Sequence, residues 1–250
     1  MGSSGEDRQE QHAGAHWEHL APGVVRRRLP GWDATVGAIA GTAGVLLVDT
    51  GSTPREGDGI RREVTDLFGL PVTHIALTHA HFDHVLGTAA FPGARVYGAV
   101  GLAELLRHSP EALRADAMRY GMPAGEAAAA VDALVPPGHP VSGELTVDLG
   151  GGRRVLLANV GPGHSPHDLA VLVPGADGTP EVVFCGDLVE ESGEPQAGPD
   201  ALPHAWPAAL DRLLALGGEE ALYVPGHGAV VNARFVREQR NALARRFGVS

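Results

Sequence analysis

The segment LTHAHFDHVLG, residues 77–87, carries four potential metal ligands within six positions: His79, His81, Asp83 and His84. Imidazole nitrogens and carboxylate oxygens are ligands that zinc binds in proteins. The apolar run PVTHIALT that leads into the segment reads as a strand, so the side chains of His79 and His81, two residues apart, should point the same way. Asp83 and His84 then follow as the chain turns towards a short helix predicted over residues 85–90. Six residues cannot enclose a metal, so the site needs ligands from other segments.

Three later segments each deliver one more potential ligand after a β-rich run. RRVLLANVGPGH ends in His164, EVVFCGD ends in Asp187 and ALYVPGH ends in His227. Because α/β sheets bind ligands in the crevice beyond the carboxyl ends of their strands, we expect these residues to meet the first segment. Five histidines and two carboxylates are too many for one tetrahedral ion and suit two neighbouring ions. Zinc fits this donor set, with manganese or iron possible.

The composition describes a soluble globular chain with an acidic balance. The 250 residues are 44% hydrophobic and carry a formal net charge of -11, which disfavours nucleic acid and anionic membranes as partners. No run approaches the ~18 apolar residues of a membrane helix. All 19 basic residues are arginine, so a substrate anion would have to meet arginine, a metal or neutral donors. We expect a small-molecule substrate; the composition leaves the oligomeric state open.

The N-terminal residues and the single cysteine suggest the cellular location of the protein. Residues 1–15 are polar and lack the apolar stretch of a signal peptide, so we expect a disordered tail followed by a single domain over 16–250. Cys185 is the only cysteine, which excludes an intrachain disulfide and is compatible with a reducing compartment. We therefore expect a cytoplasmic protein.

Strand and helix patterns alternate through both halves of the chain and predict an α/β fold. Residues 17–50 read as antiparallel strands, and the following segment as a helix with Ile60, Val64 and Leu67 at helical spacing and Gly69 at its end. Residues 100–135 predict a helical insertion, broken near Pro123. The second half predicts strands up to Asp187, a Pro- and Gly-rich loop, then a helix, a short strand and a last helix over 233–247.

The order His-x-His-x-Asp-His, then separate His, Asp and His residues, resembles the metallo-β-lactamase-fold hydrolase superfamily. The upstream LLVDTG, which contains Asp49, also fits that pattern, and the resemblance runs from about Trp17 to the last helix. It implies an αββα four-layer sandwich with a dinuclear zinc site. It also implies a division of ligands: His79, His81 and His164 for one metal, Asp83, His84 and His227 for the second, and Asp187 bridging the two.

The same resemblance implies a hydrolytic mechanism. A metal-bridging hydroxide would attack a polarised acyl carbon, since bound zinc lowers the pKa of water towards ~7. Asp83 would orient the nucleophile or relay a proton while serving as a ligand. Asp49 would accept hydrogen bonds that hold the ligand loop in place.

Individual residues indicate which branch of the superfamily the chain resembles. Asp187 stands where β-lactam-hydrolysing members usually have Cys or Ser, and a bridging Asp is similar to the hydroxyacylglutathione hydrolases. Cys185 is then interpreted as a small buried thiol. The chain ends 23 residues after His227, short of the helical substrate domain of the glutathione thioesterases, and Glu190 replaces a tyrosine typical of the lactonases.

We therefore expect hydrolysis of a small ester, thioester or related acyl substrate. Alternatives are an oxidoreductase resembling the mononuclear iron persulfide dioxygenases, a β-lactam or lactone hydrolase, and a metal-binding protein without catalytic activity. Segments 109–134 and 190–206 are candidates to cover the pocket. The candidate substrate contacts from these segments and their borders are Arg107, Arg119, Tyr120, His204 and Trp206.

Overall fold

The computed structural model describes residues 16–176 and 178–249, so the predicted tail over residues 1–15 lies outside the described residues. The first half of the chain forms a seven-stranded sheet in the order β1-β2-β3-β4-β5-β6-β7. Its strands are β1 (Glu18–Ala21), β2 (Val24–Arg28), β3 (Thr35–Ala40), β4 (Val45–Val48), β5 (Val72–Ala76), β6 (Arg95–Ala99) and β7 (His139–Val141). Strands β1 to β4 pair antiparallel, whereas β4 to β7 pair parallel.

The second half forms a five-stranded sheet in the order β12-β11-β10-β9-β8. Its strands are β8 (Glu144–Asp148), β9 (Arg154–Asn159), β10 (Leu169–Val173), β11 (Val182–Glu190) and β12 (Leu222–His227). Only the β11–β12 pair is parallel among these neighbours. Both sheets are therefore mixed.

Helices cover the outer face of each sheet. Those of the first half are α1 (Pro54–Phe68), α2 (Phe82–Val85), α3 (Leu102–His108), α4 (Pro110–Arg119) and α5 (Ala124–Ala133), and a 3-10 turn spans Thr88–Ala90. Those of the second half are α6 (Trp206–Gly217) and α7 (Ala233–Phe247). Helices α3 to α5 form the predicted insertion. No helix in the described part of the chain combines the length and the apolar character needed to cross a membrane.

Three apolar clusters hold the layers together. The central cluster lies between the sheets and joins Ile39 and Leu46 to Val171 and Phe184. Gly37 allows this close approach, because a Cβ there would lie 2.3 Å from the Phe184 ring. The two outer clusters pack α1 and the insertion against the first sheet, and α6 and α7 against the second. The architecture is the predicted αββα four-layer sandwich.

Helix boundaries follow local chemistry. The hydroxyl of Thr53 accepts a hydrogen bond from the Glu56 amide at the start of α1, Pro54 occupies its first turn, and Gly69 ends it in a left-handed conformation (φ 65°). Ile60 and Val64 are buried as the spacing predicts. Leu67, at the same helical spacing near the end of α1, is 39% exposed and lies outside the core.

Two further segments depart from their sequence patterns. The short helix expected over residues 85–90 is α2, which begins earlier, directly after His81. The Pro-rich segment around His139 carries no strand pattern, yet it forms the edge strand β7, in which His139 pairs with Tyr97. An edge position tolerates Pro140, which has no N–H to donate.

Candidate metal centre

The first four candidate ligands lie on the segment that leaves the carboxyl end of β5. His79 is 1% exposed and His84 is fully buried. Helix α2 starts after His81, so Asp83 and His84 lie on its single turn. The loop is anchored to the end of β4, because the amide and hydroxyl of Thr50 both donate to the carbonyl of His84.

The other three candidate ligands come from the second sheet. His164 follows β9 in a buried loop, and His227 is the last residue of β12. Asp187 lies within β11 rather than beyond it, next to a register shift at Gly186 (φ 54°). Gly226 makes room for this carboxylate, since a Cβ at that position would lie 1.8 Å from Asp187 Oδ1.

The seven residues form two adjacent groups, and within each group one ligand atom from every member lies within 4.8 Å of the others. One group contains His79, His81, His164 and Asp187, and the other contains Asp83, His84 and His227.

Asp187 faces both groups. Its Oδ2 lies 3.7 Å from His79 Nε2 and 3.5 Å from His164 Nε2. The same oxygen lies 3.2 Å from His227 Nε2, and Oδ1 lies 3.2 Å from His84 Nε2. The two carboxylate oxygens are therefore positioned between histidines of both groups.

Hydrogen bonds orient the rings of the ligand histidines. Asp49 accepts from the amide and the hydroxyl of Thr78 and lies 2.9 Å from His84 Nδ1, so His84 Nε2 faces Asp187. The Thr78 hydroxyl also lies 2.9 Å from His79 Nδ1. Asp49 adopts a positive φ of 58°, a conformation uncommon for a residue other than glycine and one that clusters at functional sites.

Burial and mutual charge control the ionisation of the centre. Burial alone would raise the pKa of Asp187, but the imidazoles of His227, His84 and His79 hold it well below its usual range. Burial opposes protonation of His227, yet the Asp187 carboxylate raises its pKa to about 9. Burial lowers the pKa of His164 to about 3. An ionised carboxylate among imidazoles attracts cations, and protons compete with metals for the same nitrogen atoms.

The buried polar atoms without partners support a cation at this place. In the described part of the chain, four such atoms lie at this centre: His79 Nε2, His84 Nε2, His164 Nδ1 and Asp187 Oδ1. Buried polar groups are normally hydrogen-bonded, and unpaired ones often mark an ion. The residues present therefore fit the divalent metals that imidazole and carboxylate ligands prefer.

The predicted substrate contacts fall in different environments. Tyr120 is 51% exposed and stacks 5.9 Å from Phe82, whose chain neighbours are His81 and Asp83. Arg119 places its guanidinium 4.9 Å above the Tyr120 ring. Trp206 does not fit the predicted role of a substrate contact, because it is fully buried and its indole N–H donates to the Leu188 carbonyl. Its ring centroid lies 5.4 Å from that of His164, so Trp206 packs against this imidazole.

The remaining two predicted contacts are surface residues. Arg107 is exposed on α3 and lines a cavity beside Pro137 and Pro140, among residues that include none of the seven ligands. His204 is exposed in the turn that precedes α6. Neither makes a contact that ties it to the metal centre.

Two carboxylates at the centre were missed from the sequence. Asp200, from the loop between β11 and α6, lies 3.0 Å from His81 Nε2. Glu190, the last residue of β11, is 6% exposed and lies 3.9 Å from His164 Nδ1. The position of Glu190 three residues after Asp187 was a usable signal, whereas the Pro- and Gly-rich loop offers no periodicity that would single out Asp200.

Comparisons with known proteins agree with the observed fold. A family model described as the metallo-beta-lactamase superfamily matches residues 29–227. Among solved structures, the metallo-β-lactamase FIM-1 from Pseudomonas aeruginosa in its mono-zinc form is 20% identical, with a TM-score of 0.69 over 94% of this chain and 96% of that one.

Two further structures have the same fold. The metallo-β-lactamase from Pontibacter korlensis is 19% identical, with a TM-score of 0.71 over 91% of this chain and 98% of that one. That from Hirschia baltica is 17% identical, with a TM-score of 0.66 over 91% and 97%. At these identities the likeness demonstrates the shared fold.

Proposed function

Because this chain belongs to the metallo-β-lactamase superfamily, we propose that it is a dinuclear zinc hydrolase that cleaves a small ester, thioester or related acyl substrate. The observation that carries the proposal is the position of Asp187, whose two oxygens face histidines of both ligand groups. One group would hold the first zinc through His79, His81 and His164. The other would hold the second zinc through Asp83, His84 and His227.

Bound zinc would supply Lewis acidity, which polarises an acyl carbonyl and makes water more acidic. The protein's own residues arrange the donors. Asp49 and Thr78 fix the rings of His84 and His79, and the carbonyl of Trp32 lies 2.9 Å from His227 Nδ1 and fixes that ring. Such fixed donors need no rearrangement during the reaction.

Asp83 is the candidate for handling the proton. Its Oδ2 lies 3.5 Å from His227 Nε2 and 3.6 Å from His84 Nε2, and the residue is 7% exposed. A carboxylate in this position can orient an attacking water and accept its proton before passing it to the leaving group.

An aromatic surface beside the centre suits an acyl or alcohol group. The ring of Trp32 meets Phe82 edge-on at 5.2 Å, and the indole N–H of Trp32 donates to the carbonyl of Tyr120. The half-exposed Tyr120 ring and the Arg119 guanidinium above it would contact the substrate. The bridging aspartate favours a thioesterase-like branch over β-lactam hydrolysis in this proposal.

Metal analysis and a substrate panel test the proposal together. Protein purified without added metal should contain close to two zinc ions per chain and should hydrolyse members of an ester, thioester, lactone and β-lactam panel. One iron and no zinc would instead support the persulfide dioxygenase-like alternative. Full zinc occupancy with no hydrolysis across the panel would support a protein without catalytic activity.

Paired variants test the role of Asp187. Asp187→Ala should lower zinc occupancy and abolish hydrolysis, because it removes the carboxylate between the groups. The matched control is Cys185→Ala, two residues earlier on β11, where the buried thiol donates to the Val183 carbonyl and faces no ligand atom. Loss of zinc on Cys185→Ala with retention on Asp187→Ala would refute the assignment.

A further inference from the structure

Four of the five histidines at the centre have one ring nitrogen within hydrogen-bond distance of a protein oxygen. The pairs are His79 with Thr78, His81 with Asp200, His84 with Asp49, and His227 with the carbonyl of Trp32. Metal-binding histidines are almost always held in this way, which fixes the ring and its tautomer.

His164 is the exception. Its Nε2 faces the centre, 2.9 Å from His81 Nδ1 and 3.5 Å from Asp187 Oδ2. Its Nδ1 is buried and has no hydrogen-bond partner among the residues that the structure describes. If Nε2 binds a cation, Nδ1 must carry the ring proton, and a buried N–H without an acceptor is unfavourable.

A carboxylate is already placed to accept that proton. Glu190 Oε1 lies 3.9 Å from His164 Nδ1, too long for a hydrogen bond but within reach of a small side-chain rotation. The backbone of Glu190 is fixed, since its amide donates to the Oε1 of Gln239. Its carboxylate accepts one hydrogen bond among the described residues, from the Gln196 amide to Oε1. The side chain is thus buried with spare acceptor capacity next to an unpaired donor.

We propose that Glu190 is a positioning residue for His164: it accepts a hydrogen bond from Nδ1–H when a cation binds at Nε2. The proposal rests on the proposed function only in that it needs a cation at the group of His79, His81 and His164. Strand β11 then contributes twice to the centre, through Asp187 between the groups and through Glu190 behind one ligand. Loss of such a partner typically weakens metal binding by about 10–100-fold.

Zinc titration of the full chain, after removal of metal with a chelator, tests the proposal without any substrate. Glu190→Ala should weaken the binding of one zinc by about 10–100-fold. Glu190→Gln should recover part of the loss, because its amide oxygen can still accept from Nδ1–H. Glu194→Ala, an exposed change on the adjoining loop, should bind zinc like the wild type. Circular dichroism would establish that each variant is folded.

A double-mutant cycle separates positioning from a general effect of charge. In a His164→Ala background, Glu190→Ala should cause no further loss of zinc affinity, because its partner ring is gone. Equal losses in both backgrounds would overturn the proposal. In zinc-loaded wild type, ¹⁵N NMR should also show a hydrogen-bonded Nδ1–H for His164, with its shift changed in Glu190→Ala.

The outcomes distinguish this proposal from the hydrolase assignment. Wild-type protein that binds zinc, with Glu190→Ala indistinguishable from it, would overturn the role of Glu190 alone. Wild-type protein that binds zinc but hydrolyses nothing would contradict the proposed hydrolase activity. The effect of Glu190→Ala on zinc affinity would still test the role of Glu190. A wild-type chain that binds no zinc would overturn both.

Discussion

Asp168 shows how a single buried carboxylate makes stability depend on pH. It accepts hydrogen bonds from the amide and hydroxyl of Ser165, in the loop that also carries His164. Burial raises its pKa to about 7 from 3.8. Between about pH 4 and 7 the folded chain therefore binds the proton more tightly than the unfolded chain. The resulting stability is present at low pH and is lost as the pH rises towards 7.

Asp168→Asn should remove this pH dependence. Relative to wild type, the free energy of unfolding of the variant should rise by about 1–3 kcal/mol between pH 5 and pH 8. Urea denaturation of metal-free protein at the two pH values measures the difference. Asp66→Asn, an exposed change on α1, provides the control and should leave the profile unchanged. Parallel profiles for Asp168→Asn and wild type would contradict the assigned shift.

The clustering of the candidate ligands was predictable because most of them follow or end a strand, and strand ends meet at one edge of a sheet. The neighbours that hold those ligands were harder to predict. Asp49 follows β4 and Thr78 follows β5, at the ends of runs that the sequence pattern already marked as strands. Asp200 approaches His81 across 119 positions of sequence from a loop without periodicity, so only tertiary packing reveals the contact.

At the scale of elements, amphipathic helices and buried strands were the parts that the sequence predicted well. Helix α7 spans the predicted residues because Asn232 caps its start and Gly248 ends it. Strand β7 was missed because Pro140 argues against a strand, and only its edge position makes Pro acceptable. Local propensity cannot indicate which side of a strand will remain unpaired.

Helix α1 packs against the segment that follows His84. Two of its glycines allow the effect of close packing on stability to be distinguished from the effect of helix propensity. A Cβ at Gly57 would lie 2.5 Å from the Gly87 carbonyl oxygen, whereas at Gly59 it would meet nothing within 4 Å. Gly57→Ala should lower the free energy of unfolding by about 1–3 kcal/mol through overpacking. Gly59→Ala should raise it by about 0.5–1 kcal/mol, because alanine favours helix.

Urea denaturation followed by circular dichroism compares the two helix variants directly. Gly57→Ala should also lower the zinc affinity, because it displaces the backbone of Gly87, three residues after His84. Gly59→Ala should leave the zinc affinity unchanged. Effects of the same sign at both positions would mean that α1 does not pack as closely as the structure indicates.

On the scale of the whole molecule, the centre lies where the two sheets meet. The segment after β5 supplies four of the candidate ligands from the first sheet, and β9, β11 and β12 position His164, Asp187 and His227 from the second. Backbone contacts cross the same boundary, since Ala34 bridges His227 and the Leu169 amide donates to the Thr78 carbonyl. A cation held here would join the two halves of the sandwich.

Metal removal should therefore destabilise the whole fold. A ligand at 100 times its dissociation constant stabilises the native state by about 2.7 kcal/mol, provided that it does not bind the unfolded chain. Chelator-treated protein should unfold at a lower temperature than zinc-loaded protein, and added zinc should restore the midpoint. Asp187→Ala should gain much less from zinc, because the carboxylate shared by both groups is gone. Identical midpoints with and without zinc would show that the cation does not couple the two sheets.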